Sequence, residues 1–348
     1  MAVPFGNFWN PVYTTSMRVL FNAFPVAFDC PGGGEVQLLK SKEALESMGV
    51  EVLLYDMWHP QFDQVDVVHH FSVQGGSSVF CNYVKAKGLP LVISPILWIT
   101  EESYGAGIYP IHEIKHLLTI ADALLPNSQA EADGLASIFE IPKEKFFPIV
   151  NGVDDYFLEH DADPQLFLNT YNIEPPFLLN VANIEPRKNQ LKLAEAVREL
   201  DIPLVTLGNI RDREYFDRCV EVGQGCFRYL GYVEHHSPLL LSAYRACSVC
   251  VLPSLLETPG LAALEAAAKG AKVVVTQEGC TQEYFGNGGV TYVDPQSVES
   301  IRQGIRQQLA APVSHDLAQD IVRSFTWKKA AQQLLQVYTQ SVQSLNSL

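Results

Sequence analysis

Long apolar runs are missing from this 348-residue sequence. Nothing approaches the roughly 20 consecutive apolar residues of a membrane-spanning helix. A spanning protein is therefore not expected, and any membrane contact would be peripheral. Residues 1–16 hold aromatics and prolines but no basic start, sustained apolar stretch or small-residue cleavage site. They are not expected to act as a signal peptide. Positive charge is scarce as well, with 24 Lys and Arg against 39 Asp and Glu, a net charge of −15. The shortfall is concentrated: residues 1–163 hold 8 basic against 21 acidic side chains, a net of −13, and residues 164–348 hold 16 against 18, a net of −2. That balance argues against nucleic acid as a partner. It also argues against docking of the first half on an anionic membrane through a broad basic face.

Paired cysteines are the third absence. Seven is an odd number in a chain this long, which points to reduced thiols and a cytoplasmic location. Cys247 and Cys250 have metal or redox spacing, but they lead into the apolar segment Val249–Leu252 with no second pair and no flanking His cluster. They read as buried structural thiols. No short-period repeat and no low-complexity segment is present.

What the sequence does have is alternation. Strand candidates at Arg18–Ala23, Val50–Tyr55, Asp66–Phe71, Leu89–Ser94 and Ala123–Pro126 fill the first half, with a helix over Glu35–Met48 that Gly49 closes. Asp155–Pro176 reads as an acidic linker with a short helix. Strands then resume at Phe177–Ala182, Pro203–Leu207, Phe227–Leu230, Ser248–Leu252 and Lys272–Thr276, with helices at Gln190–Leu200 and Ala330–Val342. Such alternation predicts an α/β protein with mostly parallel sheets, and the length predicts two domains. The expected architecture is two Rossmann-like domains facing a central cleft, with ligand at the carboxyl ends of the strands. The boundaries fall at residues 1–163 and 164–327, and residues 328–348 form a closing helix that could cross back.

The stretch from Pro253 to Glu265 is the most informative. Glu257 and Glu265 sit eight positions apart with a helix start between them. Thr258 suits an N-cap, Pro259 the first helical position and Gly270 a left-handed stop after Lys269. Glu257 would lie just outside the helix and Glu265 about two turns in, roughly 9 Å along the axis. Free N–H groups and the positive dipole end between them attract phosphate. Spacing alone equally describes an ordinary capped helix with one exposed Glu.

Several segments in order carry a resemblance. They are Ile149–Asp154, Glu185-Pro186-Arg187-Lys188-Asn189, Pro253–Glu265, Gly279–Glu283 and Ser324-Phe325-Thr326-Trp327. Together they resemble the retaining GT-B glycosyltransferases of family 4 over nearly the whole second half. The resemblance implies a glycosyltransferase, of a kind found in bacterial polysaccharide biosynthesis. It would move a hexose from a nucleotide-diphosphate sugar, a UDP-sugar first and GDP-mannose second, to a glycan or lipid-linked glycan acceptor. It also implies roles. Glu257 would hold hydroxyls of the transferred sugar and Glu265 the ribose diol, since a carboxylate accepts two hydroxyl hydrogen bonds strongly. The N–H groups of Gly260 and Leu261, beside Pro259, would face sugar or phosphate oxygens. Arg187 and Lys188 would stabilise the departing diphosphate. Asn183 stands where many relatives have a further Arg. Gly33 and Gly34, in the loop opening at Pro31, would let backbone approach the phosphate, and Tyr232 would lie beside the nucleobase.

On the acceptor side the sequence departs from the family. Some relatives carry a His soon after the strand that here reads Leu91–Ser94, and this chain has Pro95-Ile96-Leu97-Trp98 instead. His70, with His69 beside it, is the candidate base, and Glu101 and Glu102 are further ones. Asp161-Ala162-Asp163 matches the metal-binding Asp-x-Asp of the other large glycosyltransferase class but sits in the linker, so no metal and no cofactor beyond the donor is expected. Two other readings stay open, a nucleotide-sugar epimerase on the same fold and a non-catalytic glycosyltransferase-like subunit.

Overall fold

The computed structural model describes residues 17–29 and 32–346, so the opening segment 1–16 and Pro31 lie outside the described residues. Among the described residues, eleven strands alternate with helices: β1 (Arg18–Ala23), β2 (Glu51–Leu54), β3 (Val67–Phe71), β4 (Leu91–Ser94), β5 (Ala123–Leu124), β6 (Leu178–Val181), β7 (Leu204–Leu207), β8 (Phe227–Tyr229), β9 (Val249–Leu252), β10 (Val273–Thr276) and β11 (Val290–Val293). Every residue of β3, β4, β7, β9 and β10 is buried. Continuous apolar runs of this kind are what a parallel sheet covered on both faces requires.

Two sheets result. The first has the order β2-β1-β3-β4-β5 and the second β11-β10-β9-β6-β7-β8. Both are parallel throughout. The second repeats the dinucleotide-binding strand order, while the first has the flavodoxin-like one. Each order reverses at one place, between β6 and β9 and between β1 and β3, and a crevice opens there beyond the carboxyl ends.

The stretch after residue 154 is more than a linker, although Asp155, Glu159, Asp161 and Asp163 are themselves exposed. Asp154 and Asp163 cap two helices, Asp155–Glu159 and Pro164–Tyr171, each accepting a backbone N–H at 2.9 Å. Phe157 and Phe167 are fully buried among the second domain's core residues, with Val153 in the same cluster. Capping and solvation select the same side chains, and Asp163 serves both. Asp161 pairs with Arg245 at 2.7 Å, so neither acid of the Asp-x-Asp stands free.

The closing helix runs over Trp327–Asn346. Trp327, Ala331, Leu334 and Tyr338, at helical spacing, join Val19, Phe21 and Phe71 in the first domain's core. Gly152 lies beneath this crossover, where a Cβ would fall 2.2 Å from the Trp327 nitrogen. The Tyr338 hydroxyl meets His69 Nδ1 at 2.6 Å, and Ser94 Oγ lies 2.9 Å from Nε2. Complete burial holds the His69 pKa well below its ordinary value. His69 is a core histidine.

Polar contacts also join the domains. Lys40 Nζ lies 2.6 Å from Asp154 Oδ2. Glu283 accepts the Gln129 and Ala130 N–H groups, each at 2.8 Å, at the start of the helix Gln129–Phe139. Tyr284 donates to the Asn127 carbonyl and accepts from the Asn151 N–H, at 2.7 and 2.9 Å.

Candidate active site

A cleft of about 660 Å³ lies between the sheets, lined from both domains. Its floor is built by the loops after β6 and β9. In the first of these, Asn189 takes a left-handed conformation, φ 61°, and ends the turn Pro186–Lys188. Its amide donates to the Pro253 and Pro295 carbonyls at 2.9 and 2.8 Å. The Arg187 carbonyl accepts the Leu255 N–H at 2.9 Å. The basic turn and the acidic loop are thereby fixed to each other by backbone.

Lys188 Nζ and Glu257 Oε1 lie 2.5 Å apart, both side chains largely shielded from solvent. The pair closes over 69 residues of sequence. Glu257 is held in turn by the Gly279 segment, where the Cys280 N–H donates to its carbonyl at 3.1 Å. Gly279 has φ +96°, and a Cβ there would fall 2.1 Å from the Glu257 carbonyl oxygen. Gly279→Ala is expected to lower the unfolding temperature, the φ alone costing about 1–3 kcal/mol. It should also displace Glu257 from Lys188. Thermal unfolding measures the loss of stability.

The helix beyond this loop begins later than the sequence suggested. Gly260, φ +89°, is the N-cap, and the helix runs over Leu261–Ala268. Thr258 and Pro259 therefore precede it, joined by a cis peptide bond. Glu265 is the fifth helical residue, roughly 6 Å along the axis from Leu261. Gly260, Leu261 and Ala262 line the cleft and present the unpaired N–H groups of a helix start. Opposite, Gly33 and Gly34 open the helix Gly33–Ser47 against the same cleft. A Cβ on Gly33 would meet nothing within 4 Å, so glycine leaves space there for a ligand. None of Gly32, Gly33 and Gly34 has a positive φ; close approach is their use, not backbone freedom.

Glu265 is buried, and both its oxygens have partners. His235 Nε2 lies 2.8 Å from Oε1, and the Tyr244 hydroxyl donates to Oε2 at 3.0 Å. Burial opposes charging of His235, but the hydrogen bond and charge of Glu265 outweigh it and raise its pKa. His235 and Tyr244 were not among the sequence candidates. The dipeptide His235-His236 just before a capped helix was the available signal.

The remaining candidates scatter. Arg187 lines the cleft, yet its guanidinium pairs with Glu185 at 3.0 Å and is about half exposed. Asn183 does not line it. With its amide oxygen turned toward Arg211, Asn183 accepts from Nε at 3.0 Å and Nη2 at 3.2 Å. A guanidinium from the loop after β7 thus stands beside the position where relatives carry an Arg. Tyr232 is 55% exposed and Pro259 contributes no wall. His70 faces a different cavity, in the first domain. Glu101 and Glu102 are exposed at the start of a short helix outside the cleft. Ile96, Leu97 and Trp98 do line it, so the segment that lacks the family's His supplies an apolar wall. Gln37 lines it too. Its Nε2 donates to Asn127 at 2.9 Å, and its buried Oε1 has no partner among the described residues.

Among the described residues, one group could hold a metal ion. Asp154, His235 and His236 present ligand atoms within 4.8 Å of one another. Lys40 already places its ammonium 2.6 Å from Asp154 Oδ2, which supplies the positive charge a metal would bring. The six described cysteines are free, and burial pushes the Cys250 thiol up to about 12, as befits a packing residue. Among the described residues no helix is long and apolar enough to cross a membrane.

Two parallel-sheet domains with a cleft between the carboxyl ends of their strands make this a GT-B protein. Residues 167–324 match the family described as glycosyl transferases group 1. The second half therefore carries a domain of that family, and the chain is an enzyme of the glycosyltransferase class. An uncharacterized glycosyltransferase of Methanocaldococcus jannaschii is 24% identical over 306 residues, 79% of this chain and 75% of that one. A glycosyltransferase from Rickettsia africae superposes with a TM-score of 0.78 at 17% identity, over 95% of this chain and 99% of that one. Anabaena HepE, solved with UDP-glucose, gives 0.75 at 16% identity over 93% and 100%.

Proposed function

We propose that this chain is a retaining, metal-independent hexosyltransferase of family 4 that takes its sugar from UDP. The acceptor would be a glycan or lipid-linked glycan in cytoplasmic polysaccharide biosynthesis. One observation carries the reading: Lys188, Glu257, the helix start at Gly260 and Glu265 lie in sequence along one wall of one cleft. That order suits a sugar, a diphosphate and a ribose in a row. UDP-glucose bound to Anabaena HepE supports the choice of donor.

In the reaction the bond from sugar C1 to the diphosphate oxygen breaks and one from C1 to the acceptor oxygen forms on the same face. The acceptor proton passes to the departing diphosphate, so no protein base is required. Lys188 and the Gly260 and Leu261 N–H groups stabilise the charge that grows on the leaving group. Glu257 holds sugar hydroxyls, and Gln37 offers its free Oε1 from the opposite wall.

A thermal-shift panel of UDP-, GDP- and ADP-sugars tests the donor. At 100 times Kd a ligand adds ~2.7 kcal/mol, and UDP-glucose is expected to give the largest rise in Tm. Turnover is expected to survive EDTA and give a product with the donor's anomeric configuration, read by NMR. A flat panel overturns the donor assignment, and loss of turnover in EDTA overturns metal independence.

A further inference from the structure

A cavity of about 740 Å³ lies away from the donor cleft, within the first domain. It opens at the carboxyl ends of β1 and β3, where that sheet's order reverses. This is the crevice in which such sheets bind ligands. Its volume is that of a site for a drug-sized molecule. Among the described residues, none that lines it is charged. Phe24, Phe62, Phe80 and Tyr83 are among the aromatic side chains of its wall. At its mouth Met57 and Val79 stand 62% and 79% exposed. A phosphate or a nucleotide would lose its water here and meet no cation in return.

Asn22, Tyr55, Ser77 and His70 bring polar groups to this lining. His70 is fully buried and lines the cavity, and its Nδ1 lies 3.2 Å from Asn22 Nδ2. An Nδ1 that accepts this bond leaves the ring proton on Nε2. Nε2 has no partner among the described residues. Burial lowers the His70 pKa to about 4, so the ring is neutral near pH 7 and Nε2 is a donor. A buried donor left unpaired costs about 1–3 kcal/mol, which a ligand oxygen would recover.

The cavity also leads somewhere. A smaller crevice of about 380 Å³ shares Ala23, Phe24 and Leu38 with it and shares Gly34, Gln74 and Ile96 with the donor cleft. The three cavities thus adjoin in series from the apolar chamber to the donor cleft.

Resting on the hexosyltransferase reading, we infer that this chamber binds the aliphatic tail of an amphiphilic acceptor, His70 Nε2 donating to an oxygen at the tail's polar end. The acceptor head then runs past Gly34 and Gln74 to the donor sugar. The −13 net charge of residues 1–163 favours a tail taken up singly over adhesion of this face to an anionic bilayer.

Calorimetric titration of the full chain with octyl β-D-glucopyranoside, below its micelle-forming concentration, tests this. Methyl β-D-glucopyranoside serves as the head-only control and UDP as a separate ligand. Saturable binding of the octyl compound is expected, at least about tenfold tighter than the methyl one, since each buried methylene contributes ~0.8 kcal/mol. Val79→Glu puts a charge at the mouth without disturbing the core and should weaken the octyl compound about tenfold while UDP binds as before. His70→Phe, which keeps the apolar volume, should weaken it by about threefold or more. No octyl binding while UDP binds overturns the tail site alone. Failure of UDP to bind overturns the reading beneath it. Octyl binding that ignores Val79→Glu places the amphiphile elsewhere and overturns the inference. So does binding seen only after deletion of residues 1–16, which would assign the chamber to the chain itself.

Discussion

Lys188→Ala is expected to lower kcat for transfer from UDP-glucose by on the order of 10²–10³, the range seen when one preorganised transition-state donor is removed. The ammonium stands 2.5 Å from Glu257 Oε1. A bound donor would draw it into a three-way arrangement with sugar and diphosphate. Its charge matters most when the diphosphate leaves, so kcat should fall further than UDP affinity does. Removing the cation also leaves Glu257 shielded from water without its partner, which destabilises the site by itself. Lys188→Arg separates the two effects. It keeps the charge but not the compact geometry of an ammonium, and should restore Tm more fully than kcat. A folded Lys188→Ala protein with kcat within about threefold of wild type would remove Lys188 from the mechanism.

The sequence showed more of the scaffold than of the site. β1 and the buried strands β3, β4, β9 and β10 are legible because each is a short apolar run between turn residues, and two-sided burial permits little else. β11 escaped notice. It is a four-residue edge strand after two glycines, with Thr291 and Tyr292 inside it and only alternate residues buried. The Pro253–Glu265 helix was found but begun at Thr258. The capping signature there is genuine in isolation, and Gly260, which bends the chain by its φ of +89°, overrides it.

Side-chain partners were the least legible feature. Glu257 and Glu265 were recognised as a pair, but not that Lys188 would close on the first and His235 and Tyr244 on the second. Those contacts span 69, 30 and 21 residues and depend on three crossovers of the second sheet. The contacts between domains are less visible still. Glu283 caps a helix that begins more than 150 residues earlier, and no local pattern in either segment announces it. His70 was picked for its place at a strand's carboxyl end. That logic was sound, but the first sheet's order aims the end of β3 at a chamber of its own.

Glu265→Ala is expected to weaken UDP binding about 10- to 100-fold, since a hydrogen bond to a charged group contributes ~1.5–3 kcal/mol. A carboxylate offers about four acceptor sites. His235 and Tyr244 take one on each oxygen, so two remain for the two hydroxyls of a ribose. This predicts selectivity as well as affinity. Wild type should prefer UDP to its 2′-deoxy counterpart, and the variant should not distinguish them. Equal affinity of wild type for both would remove Glu265 from the ribose. The same carboxylate sets a pH dependence, because Glu265 raises the pKa of His235 above 6.5. A raised histidine pKa gives stability that is fully present below the unfolded value and lost as pH rises through the folded one. Wild-type Tm should therefore decline as pH climbs from about 6.5 through the His235 titration. Glu265→Gln removes the charge and keeps an acceptor, and should flatten that decline. A decline of equal size in both proteins would show that the pair does not carry it.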